Sequence, residues 1–225
     1  STQLGKDANE TYSLMAKNCA QEMNTWLSKQ AELVANQKHS IEVMDNYDND
    51  FLISYLTPFV ADYNGDGYIY DLYYTSDGNV MASGSGYVPD DSIDFTQRDW
   101  FLGAQKTDGL FYSAPYLDTD SGKLVITIST VVYKNGQEQG VLAADIFVDT
   151  LVDIINSQKL PKDSYAFLVD SDSGVVTHPN DKYGYVDDAP VALTELKGNP
   201  YKDISAQLTV KDPSVVKLSD YDSVS

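Results

Sequence analysis

Apolar residues at Leu4, Ala8, Tyr12, Met15, Cys19, Met23, Trp26, Leu33, Ile41 and Met44 recur at steps of three and four, or multiples of these, with no proline between them. That is the period of one face of a helix. Residues 1–48 are therefore expected to be a long N-terminal stalk, helical to about residue 45 and about 65 Å long. Such a helix outreaches a small domain and must run beside several units. A second helix is expected over residues 49–61, with Phe51, Leu52, Tyr55, Leu56, Phe59 and Val60 on its apolar side. The turn cluster Asp62-Tyr63-Asn64-Gly65-Asp66-Gly67 closes it. The pattern then changes to strands at residues 68–74 and 80–83, an extended run at 111–117, and paired strands at 124–133 and 140–148. Asn135-Gly136 is a strong hairpin turn between that last pair. Short helices are expected at 100–106 and 149–158.

Pro161 marks the expected boundary between a first module, residues 49–160, and a second, residues 161–225. Leu168-Val169-Asp170-Ser171-Asp172-Ser173-Gly174-Val175-Val176 parallels Leu72-Tyr73-Tyr74-Thr75-Ser76-Asp77-Gly78-Asn79-Val80, a weak repeat at an offset of about 96 residues. The predicted fold class is α/β (α+β): a long N-terminal helix alongside two antiparallel-sheet modules. The second module is expected to be incomplete, because no long hairpin follows Val210.

Composition narrows the function. A 42% hydrophobic and 12% aromatic content supports a packed core. The formal charge of -19, from 15 Lys+Arg against 34 Asp+Glu, opposes nucleic acid and anionic membrane as partners. The single cysteine, Cys19, excludes an internal disulfide and is expected to be a buried thiol. No run of about 18 apolar residues occurs, so the chain as given has no membrane span.

The candidate chemistry centres on Arg98, the only arginine, in Asp94-Phe95-Thr96-Gln97-Arg98-Asp99-Trp100-Phe101. A guanidinium binds a carboxylate or carbonyl edge through two parallel hydrogen bonds. Arg98 therefore suits a ligand site, or a structural ion pair with Asp94. Strand alternation sets Leu142, Ala144, Ile146 and Val148 on one face and Val141, Ala143, Asp145 and Phe147 on the other. Asp145 is thus a carboxylate in an otherwise apolar strand, and needs Arg98, a lysine or a ligand as partner. Tyr116 and Asp118 share a face of the run before it. Two readings stand: an internal Arg98–Asp145 salt bridge, or a pocket for a small zwitterion with Arg98 at its anion and Asp118 and Asp145 at its cation.

Arg98-Asp99-Trp100-Phe101, Tyr116-Leu117-Asp118 with Ser121-Gly122, and Asp145 together resemble the double-Cache (dCache) sensory domains. These are extracytoplasmic ligand sensors of bacterial chemoreceptors and sensor kinases, with two PAS-like modules on a long helix. The resemblance implies a small-molecule ligand in the first module, with Arg98 and Trp100 at a ligand carboxylate and Asp118 and Asp145 at its ammonium. Phe101 and Tyr116 complete the expected walls. It implies no enzyme activity, cofactor or metal. It also implies a place outside the cell membrane, within a homodimeric receptor whose spans lie outside this sequence. Ile93 and Phe101 depart from the amino-acid-binding branch, which has aromatic hydroxyls there. A greasier pocket also suits a nucleobase such as a pyrimidine, and short carboxylates are a further family ligand.

Weaker signals are read structurally. Asp62-x-Asn64-x-Asp66-Gly67 copies part of a calcium loop, but Tyr73 stands where a bidentate acid belongs, so a helix-to-strand turn is expected. His178 in Thr177-His178-Pro179 is expected to serve a turn, and His39 to face solvent. The loop over residues 84–94 is expected to act as a lid. A hydrolase pairing Asp118 with Asp145 is the alternative from another class. Against it, an adjacent arginine would keep both carboxyls ionised.

Overall fold

The computed structural model describes residues 3–64, 69–78, 80–162, 164–170, 172–180, 183–186, 189–195 and 201. The chain divides into two compact units, Asn24–Thr150 and Ser1–Met23 with Leu151–Ser225. Helix α1 spans Gln3–Met44 without a break, about 63 Å at about 1.5 Å per residue. Its expected apolar stripe holds best toward the C-terminal end, where Ala31, Val34 and Ile41 are buried. At Tyr12, 42% exposed, the stripe is not a buried face. Cys19 is half-buried rather than buried, and burial raises its thiol pKa. His39 is exposed, as its helix position predicts.

In the Asn24–Thr150 unit, α1 ends at Asp45, whose φ of 53° turns the chain back. Helix α2 spans Asn49–Asn64 and is capped by Asp48, whose carboxylate accepts the Phe51 N–H at 3.0 Å. Strands β1 (Asp71–Asp77) and β2 (Val80–Ser83) follow, then a 3₁₀ turn (Phe95–Gln97) and α3 (Asp99–Lys106). Strands β3 (Phe111–Tyr112), β4 (Tyr116–Leu117), β5 (Leu124–Lys134) and β6 (Gln137–Phe147) complete an antiparallel sheet of order β2-β1-β6-β5-β3, with β4 also on β5. The β5–β6 hairpin turns at Asn135 and Gly136, both with positive φ, as the Asn-Gly signal predicts. It is longer than predicted because its polar ends still pair, Lys134 with Gln137 and Tyr133 with Glu138, beyond a bulge at Gln139.

The two faces of β6 carry two different cores. Leu142, Ala144 and Ile146 join Leu52, Leu56 and Val60 of α2 and Val34 and Ile41 of α1. Val141 and Ala143 join Tyr73, Phe95, Trp100 and Phe101 on the opposite face. The sheet is therefore covered on both sides along Val141–Ile146, and a polar group in that stretch of β6 is cut off from bulk water.

Described by itself, the other unit contains most of α4 (Val148–Ser157), a hairpin of β7 (Leu168–Val169) and β8 (Val175–Thr177), and a second of β9 (Tyr185–Val186) and β10 (Ala189–Pro190). The β7–β8 hairpin is the strand-turn-strand repeat expected there. His178 serves a turn: its Nδ1 accepts the Asn180 N–H at 2.9 Å. The ring proton therefore sits on Nε2 and is donated to the Tyr201 hydroxyl at 2.8 Å. The residues after 201, on which an incomplete second module would be judged, lie outside the described residues, as do Asp66 and Gly67 of the calcium-like turn.

Leu142 is completely buried between helices and sheet. Leu142→Ala should lower unfolding free energy by about 2–5 kcal/mol. Val80→Ala, at a site 48% exposed, should cost less than about 1 kcal/mol. Urea denaturation of the two variants checks the difference.

Candidate ligand-binding site

A cavity of about 80 Å³ lies on the Tyr73–Trp100 side of the sheet. Arg98, Trp100, Tyr116, Asp118 and Asp145 line it, so five of the six predicted residues converge. Phe101 does not reach it. Successive residues of α3 point in different directions, and Phe101 turns into the core, edge-on to Trp100 at 5.9 Å between ring centroids. It braces the tryptophan instead of forming the wall.

Asp145 is 5% exposed and carries the tightest network. Its Oδ1 accepts the Thr127 hydroxyl at 2.6 Å and the Tyr73 hydroxyl at 2.9 Å. Thr127 spends its one proton on that carboxylate, so its oxygen accepts the Tyr116 hydroxyl at 2.7 Å. Tyr116 lies 3.5 Å from Oδ1 and is the outer link of this chain. All these bonds fall on Oδ1. Oδ2 has no hydrogen-bond partner among the described residues, and no cation pairs with Asp145 there. Burial pushes its pKa up to about 7, with the charges of Asp118 and Asp71 adding and the Thr127 and Tyr73 hydrogen bonds opposing.

Arg98 sits at the N-terminal boundary of α3, where its backbone is extended and its carbonyl accepts the Phe101 and Leu102 N–H groups at 3.0 Å. Its guanidinium lies over the Tyr116 ring, 5.3 Å from the centroid. Among the described residues it makes no ion pair and no side-chain hydrogen bond. Asp94, one proposed partner, instead caps the 3₁₀ turn through the Thr96 N–H at 3.0 Å and hydroxyl at 2.6 Å. Neither internal salt bridge considered from the sequence forms, and the donors of the arginine fork are not engaged among the described residues.

Asp118 is presented by a turn. Its Oδ2 accepts the Ser121 N–H and hydroxyl, each at 2.7 Å, and Gly122 closes the turn with a φ of 66°. Oδ1 of Asp118 has no hydrogen-bond partner among the described residues. The site thus offers one unpaired carboxylate oxygen from each of Asp118 and Asp145, together with a free guanidinium.

Sequence reasoning missed Asp71, Tyr73 and Thr127. Asp71 is 4% exposed, lines the cavity and stands opposite Asp145 in the β1–β6 register. Its signal was the one used for Asp145, a carboxylate within a strand. Thr127 lies between Ile126 and Ile128, again a polar residue in an apolar run. Tyr73 left no such mark, because tyrosine is common in strands.

A Cache-domain family model, dCache_1, matches residues 1–215. The chain belongs to the Cache-domain family. This is a non-enzymatic class of sensor domain, which removes the hydrolase reading of Asp118 and Asp145. The methyl-accepting chemotaxis protein PscA of Pseudomonas syringae pv. tomato is 30% identical over 162 residues, 72% of this chain and 25% of that protein. McpA of Pseudomonas putida is 38% identical over 98 residues, 43% of this chain and 14% of that protein. The chain therefore spans a quarter or less of these relatives. Among solved structures, the ligand-binding domain of the Pseudomonas aeruginosa amino acid chemoreceptor PctC, in complex with GABA, superposes with a TM-score of 0.71. Its identity is 20%, and the match covers 94% of this Cache domain and 86% of that chain. The chemoreceptor CtaA domain of Pseudomonas fluorescens with L-alanine gives 0.69 at 23% identity, covering 84% and 77%. Among the described residues of this Cache domain, no helix is long and apolar enough to cross a membrane.

The raised pKa of Asp145 has a definite sign for stability. An acid whose pKa is higher folded than unfolded contributes stability below its unfolded value, about 4, and that contribution is lost as pH rises to about 7. The ligand-free domain should therefore lose stability over that window relative to Asp145→Asn. Thermal melts of both proteins from pH 4 to pH 8 should converge at the acid end and separate toward neutrality, with the variant more stable.

Proposed function

We propose that this Cache domain is the extracytoplasmic ligand-binding sensor of a longer membrane chemoreceptor, and that its ligand is a small amino acid held in the cavity between Arg98 and the two aspartates. The ammonium lies between Asp118 Oδ1 and Asp145 Oδ2, the carboxylate on the Arg98 fork, and the carbon skeleton against Trp100. The observation that carries this reading is the coexistence of a guanidinium without internal partners and a buried carboxylate without a cation in one cavity. Either alone is costly, and a zwitterion answers both. Support for the ligand class also comes from the GABA and L-alanine complexes of the similar domains.

Charge and size argue against the other family ligands. Asp71, Asp118, Asp120 and Asp145 face a single arginine on the cavity wall, a poor place for a simple carboxylate. The cavity is smaller than the roughly 150 Å³ that holds benzene in a known apolar site, which disfavours a pyrimidine. L-Leucine should bind at least about fivefold more weakly than L-alanine, because filling a site beyond its volume costs about 1–3 kcal/mol.

Calorimetry with L-alanine, L-serine, GABA, uracil and propionate tests the assignment. L-Alanine or L-serine should bind one to one. Arg98→Lys, which keeps charge and loses the fork, should weaken binding more than tenfold, as should Asp118→Ala, since a charged hydrogen bond contributes about 1.5–3 kcal/mol. Binding should be about tenfold weaker at pH 6 than at pH 8, because the ammonium selects ionised Asp145. Uracil binding without amino-acid binding would overturn the ligand class. Silence toward all five would leave the residues a structural role.

A further inference from the structure

Asp71 is a buried acid that the ligand scheme does not use. Both its oxygens are occupied: Oδ2 accepts the Ser83 hydroxyl at 2.6 Å, and Oδ1 accepts the Ser85 N–H at 2.8 Å. Ser83 gives its proton to Asp71, so its oxygen is free to accept the Tyr87 N–H at 3.1 Å. One carboxylate thereby fixes the backbone over residues 83–87, where the chain leaves β2 and begins the loop toward Arg98. Tyr87 and Ile93 of that loop form part of the cavity wall. The anchor is also at a telling place, since Asp71 is the register partner of Asp145 on the neighbouring strand.

A buried carboxylate used only to hold a surface loop is costly, and an apolar strand residue would be the cheaper choice in β1. The loop it holds closes a cavity of only about 80 Å³. We propose that Asp71 is a positioning residue that sets ligand size: through Ser83 and Ser85 it clamps the rim carrying Tyr87 and Ile93 over the cavity, so that only ligands with short side chains fit. This rests on the amino-acid reading for the ligand's chemistry, but not for the existence of the clamp.

Three variants separate the parts. Asp71→Ala removes the clamp. Asp71→Asn keeps an acceptor for the Ser85 N–H and can donate its amide to Ser83, so it restores the clamp without the charge. Ser83→Ala removes the shorter of the two links from Asp71 to the Tyr87 N–H, leaving the one through the Ser85 hydroxyl at 3.4 Å, and carries the test if Asp71→Ala fails to fold. Hydrogen exchange in the ligand-free protein reads the clamp directly. In Asp71→Ala or Ser83→Ala, the Tyr87 amide and the indole N–H of Trp100, which is buried and lines the same cavity, should exchange at least about tenfold faster. Asp71→Asn should return them to within about threefold of the parent.

Calorimetry with L-alanine and L-leucine reads size. The parent should prefer L-alanine at least about fivefold, and the clamp-free variants should narrow that preference below about twofold. Unchanged exchange in folded Asp71→Ala and Ser83→Ala would overturn the clamp. Lost protection with an unchanged L-alanine to L-leucine ratio would overturn its role in size. If neither amino acid binds the parent, the ligand class fails, and the Trp100 indole exchange alone decides whether Asp71 closes the cavity.

Discussion

Asp145 lies in a sheet that is covered on both faces, and no cation among the described residues neutralises it. Two hydroxyls are spent on one of its oxygens, and those bonds are too few to offset removal from water, so burial holds its pKa near 7. Much of the neighbouring structure follows from keeping that carboxylate in place. Thr127 and Tyr73 come from the strands on either side of β6, and Tyr116 reaches in from β4 to support Thr127. Three separate segments thus converge around one oxygen, while the other has no hydrogen-bond partner among the described residues. Under the proposed function, a ligand cation would complete the site electrostatically.

Arg98 is the counterpart. It stands at the boundary between the 3₁₀ turn and α3, fixed by backbone bonds, with Trp100 one residue into the helix and Phe101 bracing it from behind. Its stacking on Tyr116 joins the anion end of the cavity to the same hydroxyl chain that supports Asp145. A zwitterion would therefore load both ends of one connected network. Population shift requires differential interaction with two arrangements, and a network spanning β1, β4, β5, β6 and α3 is where such a difference can arise.

The parts of this organisation visible in the sequence were those with a strong local cause. Asn135-Gly136 demanded a hairpin, and the alternation of 141–148 assigned Asp145 to the face opposite Leu142 before any contact was known. Arg98, Trp100, Tyr116 and Asp118, grouped in the sequence by their motif, do line one cavity. Phe101 does not, since adjacency to Trp100 in sequence does not mean adjacency to the same cavity on a helix. The salt bridges with Asp94 and Asp145 were plausible from charge alone. They do not form because Asp94 is consumed by the Thr96 cap and the Arg98 guanidinium lies over the Tyr116 ring instead of against Asp145. Asp71 went unnoticed because its partners, Ser83 at the end of β2 and Ser85 just beyond it, are ordinary serines whose role depends on a β1–β2 pairing that the sequence does not specify to the residue.

The central claim is that Asp145 is poised near neutrality until a cation reaches it. Carbon-13 NMR titration of the Asp145 side-chain carboxyl, with and without saturating L-alanine, tests it most directly. The account predicts a midpoint of about 7 in the free protein and one displaced downward by at least about one pH unit in the complex. A free-protein midpoint near the ordinary aspartate value of about 4, or a midpoint unmoved by bound L-alanine, would contradict it.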